Sequence, residues 1–532
     1  MTKRQSDDFN PSSATENISH LRDQKFVGGF FLTSKEFESV ENYNSVSLLS
    51  GWTFWSSNRG VLELVTGNHN NQLIVFGNFY HLEETDSEKA LLRLLEAFEA
   101  GELEFESETD LLVGRYVLIV VSGSQTFVYN DALGTRSIYY SIDGSAISSH
   151  FHLLARKLEI ETDHEWDERR MAMDLTMSSK IRQLLPNFRL DCKQALPQRY
   201  FPRRNNEFSD WSHEEKIAEI SRLWKTSLDS LLGNNKNVVF SITGGLDSRL
   251  SISMAHDHWS EIVLYTYGSK KAKDTNYSRM MNKDYLISRE LVNYIQPKEY
   301  RFIHLADNKR LHPELSSLIK TNSITRHGPG LVQRYRDEFR GDDWVHVRST
   351  GIEVTRSYFG SNDSVASITR TCELDGATDF HSRIHELGYD APQYGYNKKD
   401  LIYWELRMGK WHSEVLNEND AAFETILPHN SRRLIKLFLA YPLPQRRNAF
   451  ALKELINDNA PMLNFFGVND TRNLYEIVRD DSNTKDGSSH DPTFPTSKEL
   501  VTHTARIVRS RGIRSLKRQL RIVFSCISRL KK

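Results

Sequence analysis

Apolar positions fall into two textures along the chain. From Phe26 to about residue 158 they come as short runs broken by turn residues, at 26–32, 45–52, 62–65, 72–80, 111–121, 126–130 and 137–141. Runs of that length, rich in β-branched and aromatic residues, predict strands. Residues 87–101 have helical spacing instead. From about Asp210 onward, runs with continuous apolar centres (237–243, 261–268, 300–305 and 343–350) alternate with helical segments. Strands apolar on both faces and separated by helices predict a mostly parallel sheet covered on both sides.

Local signals sharpen several elements. Ser212 and Glu215 have capping-box spacing, and Ile217, Ile220, Trp224, Leu228 and Leu231 follow with helical period, so a helix is expected over 212–232. Residues 401–455 read as helical, most clearly at 404–411, 431–441 and 448–456. Residues 480–498 are polar and turn-rich, as in a linker. The first 25 residues lack an apolar core and are expected to be a flexible, solvated arm. After Glu499 there is no acidic residue, while ten Lys or Arg lie between Arg506 and Lys532, with Ile507, Ile513, Leu516, Leu520, Val523 and Ile527 roughly on one helical face. This tail over 499–532 is either a basic amphipathic helix for an anionic membrane surface or a partner, or a solvated terminal helix.

Composition removes other classes. The chain has 532 residues, 39% of them hydrophobic, so two or three domains with full-sized cores are expected. Lys and Arg number 69 against 70 Asp and Glu, which gives no whole-chain case for nucleic-acid binding. Cys192, Cys372 and Cys526 are too few and too far apart for a disulfide framework or structural zinc. A reducing, cytoplasmic setting is expected, peripheral to a membrane if the tail binds one.

Chemistry concentrates where the first apolar strand of the second half ends. Val238 to Thr243 runs into Gly244-Gly245-Leu246-Asp247-Ser248, and a helix follows. At the carboxyl end of a parallel strand, two glycines admit close backbone approach, and the helix start offers unpaired N–H groups to an anion. The hydroxyls of Ser241, Thr243 and Ser248 can donate to phosphate oxygens, and Asp247 can hold Mg2+. No Gly-Lys-Ser/Thr follows, so the loop is not a Walker A loop.

This loop resembles the Ser-Gly-Gly-x-Asp-Ser loop of the N-type ATP pyrophosphatases, with Thr243 where the first serine is usual. Upstream, Asn130-Asp131 and Leu133-Gly134-Thr135-Arg136-Ser137-Ile138-Tyr139-Tyr140 are similar to a signature late in the glutamine amidotransferase domain of asparagine synthetase. With Tyr265-Thr266-Tyr267-Gly268, and Lys453 in Ala-Leu-Lys-Glu-Leu-Ile, the chain resembles the asparagine synthetase family over about 26–470. That family includes the β-lactam synthetases and lasso-peptide cyclases. The resemblance implies an α+β sandwich of the Ntn-hydrolase type over 26–205, then an α/β doubly wound parallel-sheet ATP-pyrophosphatase domain over 210–479. It further implies ATP binding by Ser241, Thr243, Gly244, Gly245, Leu246, Asp247, Ser248, Tyr267 and Gly268. Lys453 would stabilise charge during adenylation, and Asp247 and Glu353 would bind Mg2+, with Glu353 alternatively a base.

Departures from the family's pattern matter as much. Its nucleophilic cysteine and following Gly-Ile correspond to Phe26-Val27-Gly28-Gly29-Phe30, and its Asn-Gly oxyanion pair to Phe76-Gly77. A phenyl ring donates no hydrogen bond, so glutaminase chemistry is expected to be absent. Thr350 stands where the β-lactam synthetases have a tyrosine base. Arg356 is a candidate for holding a substrate carboxylate or phosphate, or else an ion pair. Glu405 and Arg407 are candidates for lining the acceptor cleft, or else a helix-surface pair, and Asp284 is a candidate site acid or a helix cap. The expected function is an AMP-forming, ATP-dependent amidoligase that joins a carboxylate of a small molecule, peptide or sugar acid to ammonia or an amine. The alternatives are a non-catalytic nucleotide-binding scaffold or an intramolecular cyclase.

Overall fold

Strands with one apolar face must stack on another layer, and the first half of the chain does so with two six-stranded antiparallel sheets. The computed structural model describes residues 25–162, 173–305, 311–325, 327–341, 343–359 and 380–478. The arm before Lys25, the linker at 480–498, the basic tail at 499–532, Cys372 and Cys526 lie outside the described residues. The first sheet contains β1 (Phe30–Thr33), β2 (Asn44–Ser47), β3 (Thr53–Ser56), β8 (Tyr139–Ser141), β9 (Ala146–Ser148) and β10 (Ile181–Gln183), in the order β10-β8-β9-β1-β3-β2. The second contains β4 (Leu62–Thr66), β5 (Asn71–His81), β6 (Leu112–Ser122), β7 (Gln125–Asn130), β11 (Phe188–Asp191) and β12 (Leu196–Arg199), in the order β12-β11-β7-β6-β5-β4. Phe30, Leu32 and Phe54 of the first sheet share one core with Leu73, Phe76 and Val117 of the second. Helices α1 (Ser87–Ala100) and α2 (Glu102–Thr109) cover the outer face of the second sheet, and α3 (Phe151–Lys157) that of the first.

The second half forms a five-stranded, wholly parallel sheet of β13 (Asn237–Ser241), β14 (Val263–Gly268), β15 (Glu299–His304), β16 (Trp344–Val347) and β17 (Glu424–Ile426). Its order is β15-β14-β13-β16-β17. The chain winds one way from β13 and returns to wind the other way from β16, so the crevice beyond β13 is a topological switch point. Alternation sends Val238 and Phe240 into a core with α4 (His213–Asn234), α5 (Leu246–Met254) and α6 (Asn276–Ile295). Val239 faces the opposite core, with α7 (Pro313–Asn322) and α8 (Pro329–Glu338).

Helix α4 begins as its sequence requires: Ser212 Oγ accepts the Glu215 amide at 3.1 Å, and Glu215 Oε2 accepts the Ser212 amide at 2.7 Å. The segment expected to be helical over 401–455 is broken by β17, a three-residue edge strand. So short a run has no period of its own, and its pairing with β16 makes it a strand. Within the helical part, α9 (Lys398–Ile402) passes through a π-helical stretch (Tyr403–His412) into α10 (Ser413–Asn419).

Met1–Thr471 forms one compact unit and Arg472–Lys532 a second. In the second, Asn473 caps a helical turn at 474–478, accepting the Glu476 amide at 2.9 Å. Within the first unit, buried polar bonds lace the antiparallel sheets to the parallel one. Arg115 on β6 donates to both oxygens of Asp420 and to Asn417, and Arg136 pairs with Glu424 at 3.0 Å. The Asp131–Arg136 turn is drawn tight by Asp131, which accepts from the Thr135 amide, the Thr135 hydroxyl and the Arg136 amide at 2.8–2.9 Å. No helix among the described residues is long and apolar enough to cross a membrane.

Candidate functional site

The glycine loop leaves β13 in the crevice at the switch point and enters α5 at Gly245, which has extended backbone and no side-chain cap. The hydroxyls fold it onto itself. Ser248 Oγ accepts the Thr243 amide at 3.1 Å and lies 3.0 Å from Thr243 Oγ1, which accepts the Gly245 amide at 3.2 Å. The two glycines have different duties. A Cβ on Gly244 would come within 2.7 Å of Ile287 Cδ1, so this glycine lets α6 seat against the loop. A Cβ on Gly245 would make only ordinary contacts, the nearest 3.4 Å away, so that face of the loop is open to a ligand.

Neighbouring elements hold the loop in three places. Asp284, in the interior of α6, accepts the Gly244 amide at 3.0 Å. Its place in the middle of a helix rules out the helix-cap reading. Burial raises its pKa, and the bond from Gly244 opposes the rise. Asn469 donates its amide to Gly244 O at 2.8 Å. Arg249, fully buried in the first turns of α5, donates to the carbonyls of Leu463, Phe466 and Gly467 at 3.0, 2.6 and 2.8 Å. Burial pushes that guanidinium down to about 10. The only sequence signal for this clamp is one arginine in a helix whose other residues, Asp247 apart, are apolar or hydroxylated; nothing in the sequence marks Asn469.

Charge gathers beside the loop. Asp247 Oδ2 accepts from Arg356 Nη2 at 2.6 Å, while Oδ1 is shut from solvent with no partner among the described residues. The Asp247 carboxyl is raised to about 7, first by burial and then by the charge of Glu353, with Arg356 pulling it down. Glu353 accepts the Gly351 amide at 2.7 Å, and Gly351 takes a left-handed φ of 107° to turn the chain after β16. The structure therefore brings Asp247, Glu353 and Arg356 together. Among the described residues, no group of three or more His, Cys, Asp or Glu is arranged to hold a metal ion. Two neighbouring carboxylates with one orphaned oxygen do match the need of a magnesium ion that takes its remaining ligands from phosphate and water.

Other candidates are placed differently. Leu246 is buried in the core under the loop, and Ser241 lies level with Tyr265 across β13 and β14. Tyr267 and Gly268 end β14, where Gly268 passes so close to α6 that a Cβ would lie 2.7 Å from Met281 O. Lys453 stands on the exposed side of α11 (Phe450–Asn459), a helix that packs on α5, and its ammonium has no hydrogen bond among the described residues. Glu405 neither lines a cleft nor sits on a helix surface. It is fully buried, paired with Arg199 at 2.7 and 2.9 Å and accepting from Asn187 at 2.9 Å. A carboxylate so saturated has no capacity left for a substrate.

The residues that the resemblance sets against a glutaminase centre are packed into the core. Phe26, Phe30 and Phe76 are buried, Phe30 packs against Phe76 at 6.4 Å, and Arg136 lies over the Phe76 ring at 5.5 Å while donating to Gly28 O.

No family model matches the chain, and no curated protein matches it. Similar solved structures include an NH3-dependent NAD synthetase from Campylobacter jejuni subsp. jejuni NCTC 11168, at 12% identity, covering 37% of this chain and 96% of that one, with a TM-score of 0.21. An NMN synthetase from Francisella tularensis is 15% identical, with 40% and 97% covered and a TM-score of 0.20. A glutamine phosphoribosylpyrophosphate amidotransferase from B. subtilis is 10% identical, with 65% and 74% covered and a TM-score of 0.21.

Proposed function

We propose that the chain is an asparagine synthetase-like, AMP-forming ligase: it adenylates a carboxylate with ATP and passes the acyl group to ammonia or an amine, without glutaminase activity of its own. The observation that carries this reading is the glycine and hydroxyl loop at the switch point of the parallel sheet, with Asp247, Glu353 and Arg356 at its edge. Amides at the start of α5 supply donors to phosphate oxygens, and the hydroxyls of Thr243 and Ser248, which here hold loop amides, can turn toward the same oxygens. Arg356 supplies positive charge at the α5 start and can shift from Asp247 to a phosphate or carboxylate. Asp247 and Glu353 would hold Mg2+, which supplies neutralisation of phosphate charge when bound. The remaining catalysis is positioning.

Gly245→Ala tests the reading, because its Cβ fits the fold but points to the open side of the loop. Calorimetric titration should show the variant binding ATP at least about tenfold more weakly than wild type, ~1.4 kcal/mol, with an unchanged melting temperature. Equal ATP affinity would dismiss the loop as a nucleotide site.

A nucleotide-binding scaffold is the second reading, favoured by one observation: Lys453 lies on an exposed helix face, and its ammonium has no hydrogen bond among the described residues. Pyrophosphate exchange across a panel of acids separates the two readings.

Glutamine alone should release no glutamate above a heat-killed control. The stretch from Phe26 to Phe30 carries no thiol or hydroxyl, and Phe76, which the resemblance sets against the family's oxyanion asparagine, is a buried ring.

A further inference from the structure

After the short helical turn at Pro461–Phe465 the chain returns to the glycine loop, and the contacts that direct it there have no part in the chemistry proposed above. The Arg249 guanidinium donates to the carbonyls of Leu463, Phe466 and Gly467 at 3.0, 2.6 and 2.8 Å and pairs with no carboxylate among the described residues. Burying a guanidinium without an acid is costly, and here the compensation comes from carbonyls of one turn of chain, so that turn and α5 are locked to each other. Asn464 Nδ2 donates to Lys453 O at 3.1 Å, which ties the same turn to α11.

Beyond the clamp the chain reaches Asn469, which takes a left-handed φ of 53°. Asparagine enters that conformation more readily than most residues, and from it the backbone amide donates to Gly244 O at 2.8 Å. Asn469 is exposed, and its side chain has no hydrogen bond among the described residues. Its Oδ1 lies 3.9 Å from the point that a Cβ on Gly245 would occupy. The carboxamide therefore borders the side of the loop that is open to a ligand. A carboxamide offers two N–H donors as well as an oxygen, and half a turn about its last bond exchanges the two ends.

We propose that Asn469 belongs to the nucleotide site, its carboxamide donating to a phosphate held on the open side of Gly245, and that Arg249 is the positioning residue that brings it there. The proposal rests on the nucleotide reading of the loop, and the experiment separates their failures. Glycine accepts a left-handed φ without strain, so Asn469→Gly removes the carboxamide and keeps the turn. Calorimetric titration of the full chain should show Asn469→Gly binding both ATP and pyrophosphate about fivefold to tenfold more weakly than wild type, with little change in melting temperature. Asn469→Asp, whose carboxylate repels phosphate, should bind them more weakly still. Arg249→Gln should weaken ATP binding in the otherwise wild-type chain and add less than about twofold on top of Asn469→Gly, because the clamp then has no carboxamide to place. Arg249→Lys, which keeps the charge, replaces it in this comparison if the glutamine variant does not fold. Gly245→Ala reports on the loop itself. ATP binding that falls in Gly245→Ala but keeps wild-type strength in both Asn469 variants overturns the Asn469 contact and leaves the nucleotide reading standing. Losses that add in full overturn the positioning role of Arg249. ATP binding untouched by Gly245→Ala removes the nucleotide reading, and the Asn469 contact with it.

Discussion

Asp247→Asn is expected to cut ATP–pyrophosphate exchange by at least 10²–10³-fold, on the order of the loss when one preorganised electrostatic group is removed from an active site. The same variant should be relatively more stable than wild type as pH rises. The Asp247 carboxyl sits at about 7 in the folded chain, against an ordinary value of 3.8. A group whose pKa is raised by folding binds its proton more tightly when folded, so its contribution to stability falls as pH climbs from about 4 to about 7. Asparagine carries no charge to bury and can still accept from Arg356. Melting curves of the two proteins should therefore lie close together at low pH and separate in favour of Asp247→Asn by pH 8. A variant that is both inactive and uniformly less stable would mean that Asp247 has a structural duty and no chemical one.

Arg115→Ala is expected to cost about 3–5 kcal/mol, read from the urea midpoint, because it leaves the Asp420 carboxylate buried without its partner. Arg115 is 1% exposed, and its Nη2 reaches Asp420 Oδ2 at 2.8 Å. Arg115→Leu combined with Asp420→Leu should cost clearly less than the two single changes added together, since no lone charge remains. Arg115→Lys should rescue little, because one ammonium cannot match a two-pronged contact. Additive losses in the double variant would show that the pair does not couple the antiparallel sheets to the parallel one.

Features fixed by neighbours in sequence are legible in the chain alone. The capping box at Ser212 and Glu215, the run from Val238 into Gly244-Gly245 and the change near Asp210 from short broken strands to strands alternating with helices all rest on local spacing. What spacing hid was whatever depends on distant partners. Glu405 has the appearance of a surface acid until Arg199, 206 residues away, closes on it. Strand β17 is too short to announce itself and exists through β16. Asp284 resembles a cap in sequence, yet it acts across space on Gly244. The Asp131–Arg136 signature, which carried the family resemblance, does its visible work as a tight turn that passes Arg136 to Glu424.

The bond from Gly244 to Asp284 gives the loop an internal competitor. An empty phosphate loop is usually pictured as a row of vacant donors, but here one seat already belongs to a carboxylate of the same chain. Under the proposed chemistry, an incoming triphosphate exchanges one acceptor for another at that amide, and its grip there reports only the difference between them. The same resident anion can retake the amide when pyrophosphate departs. On that reading, weak product retention would rest on a single residue of α6.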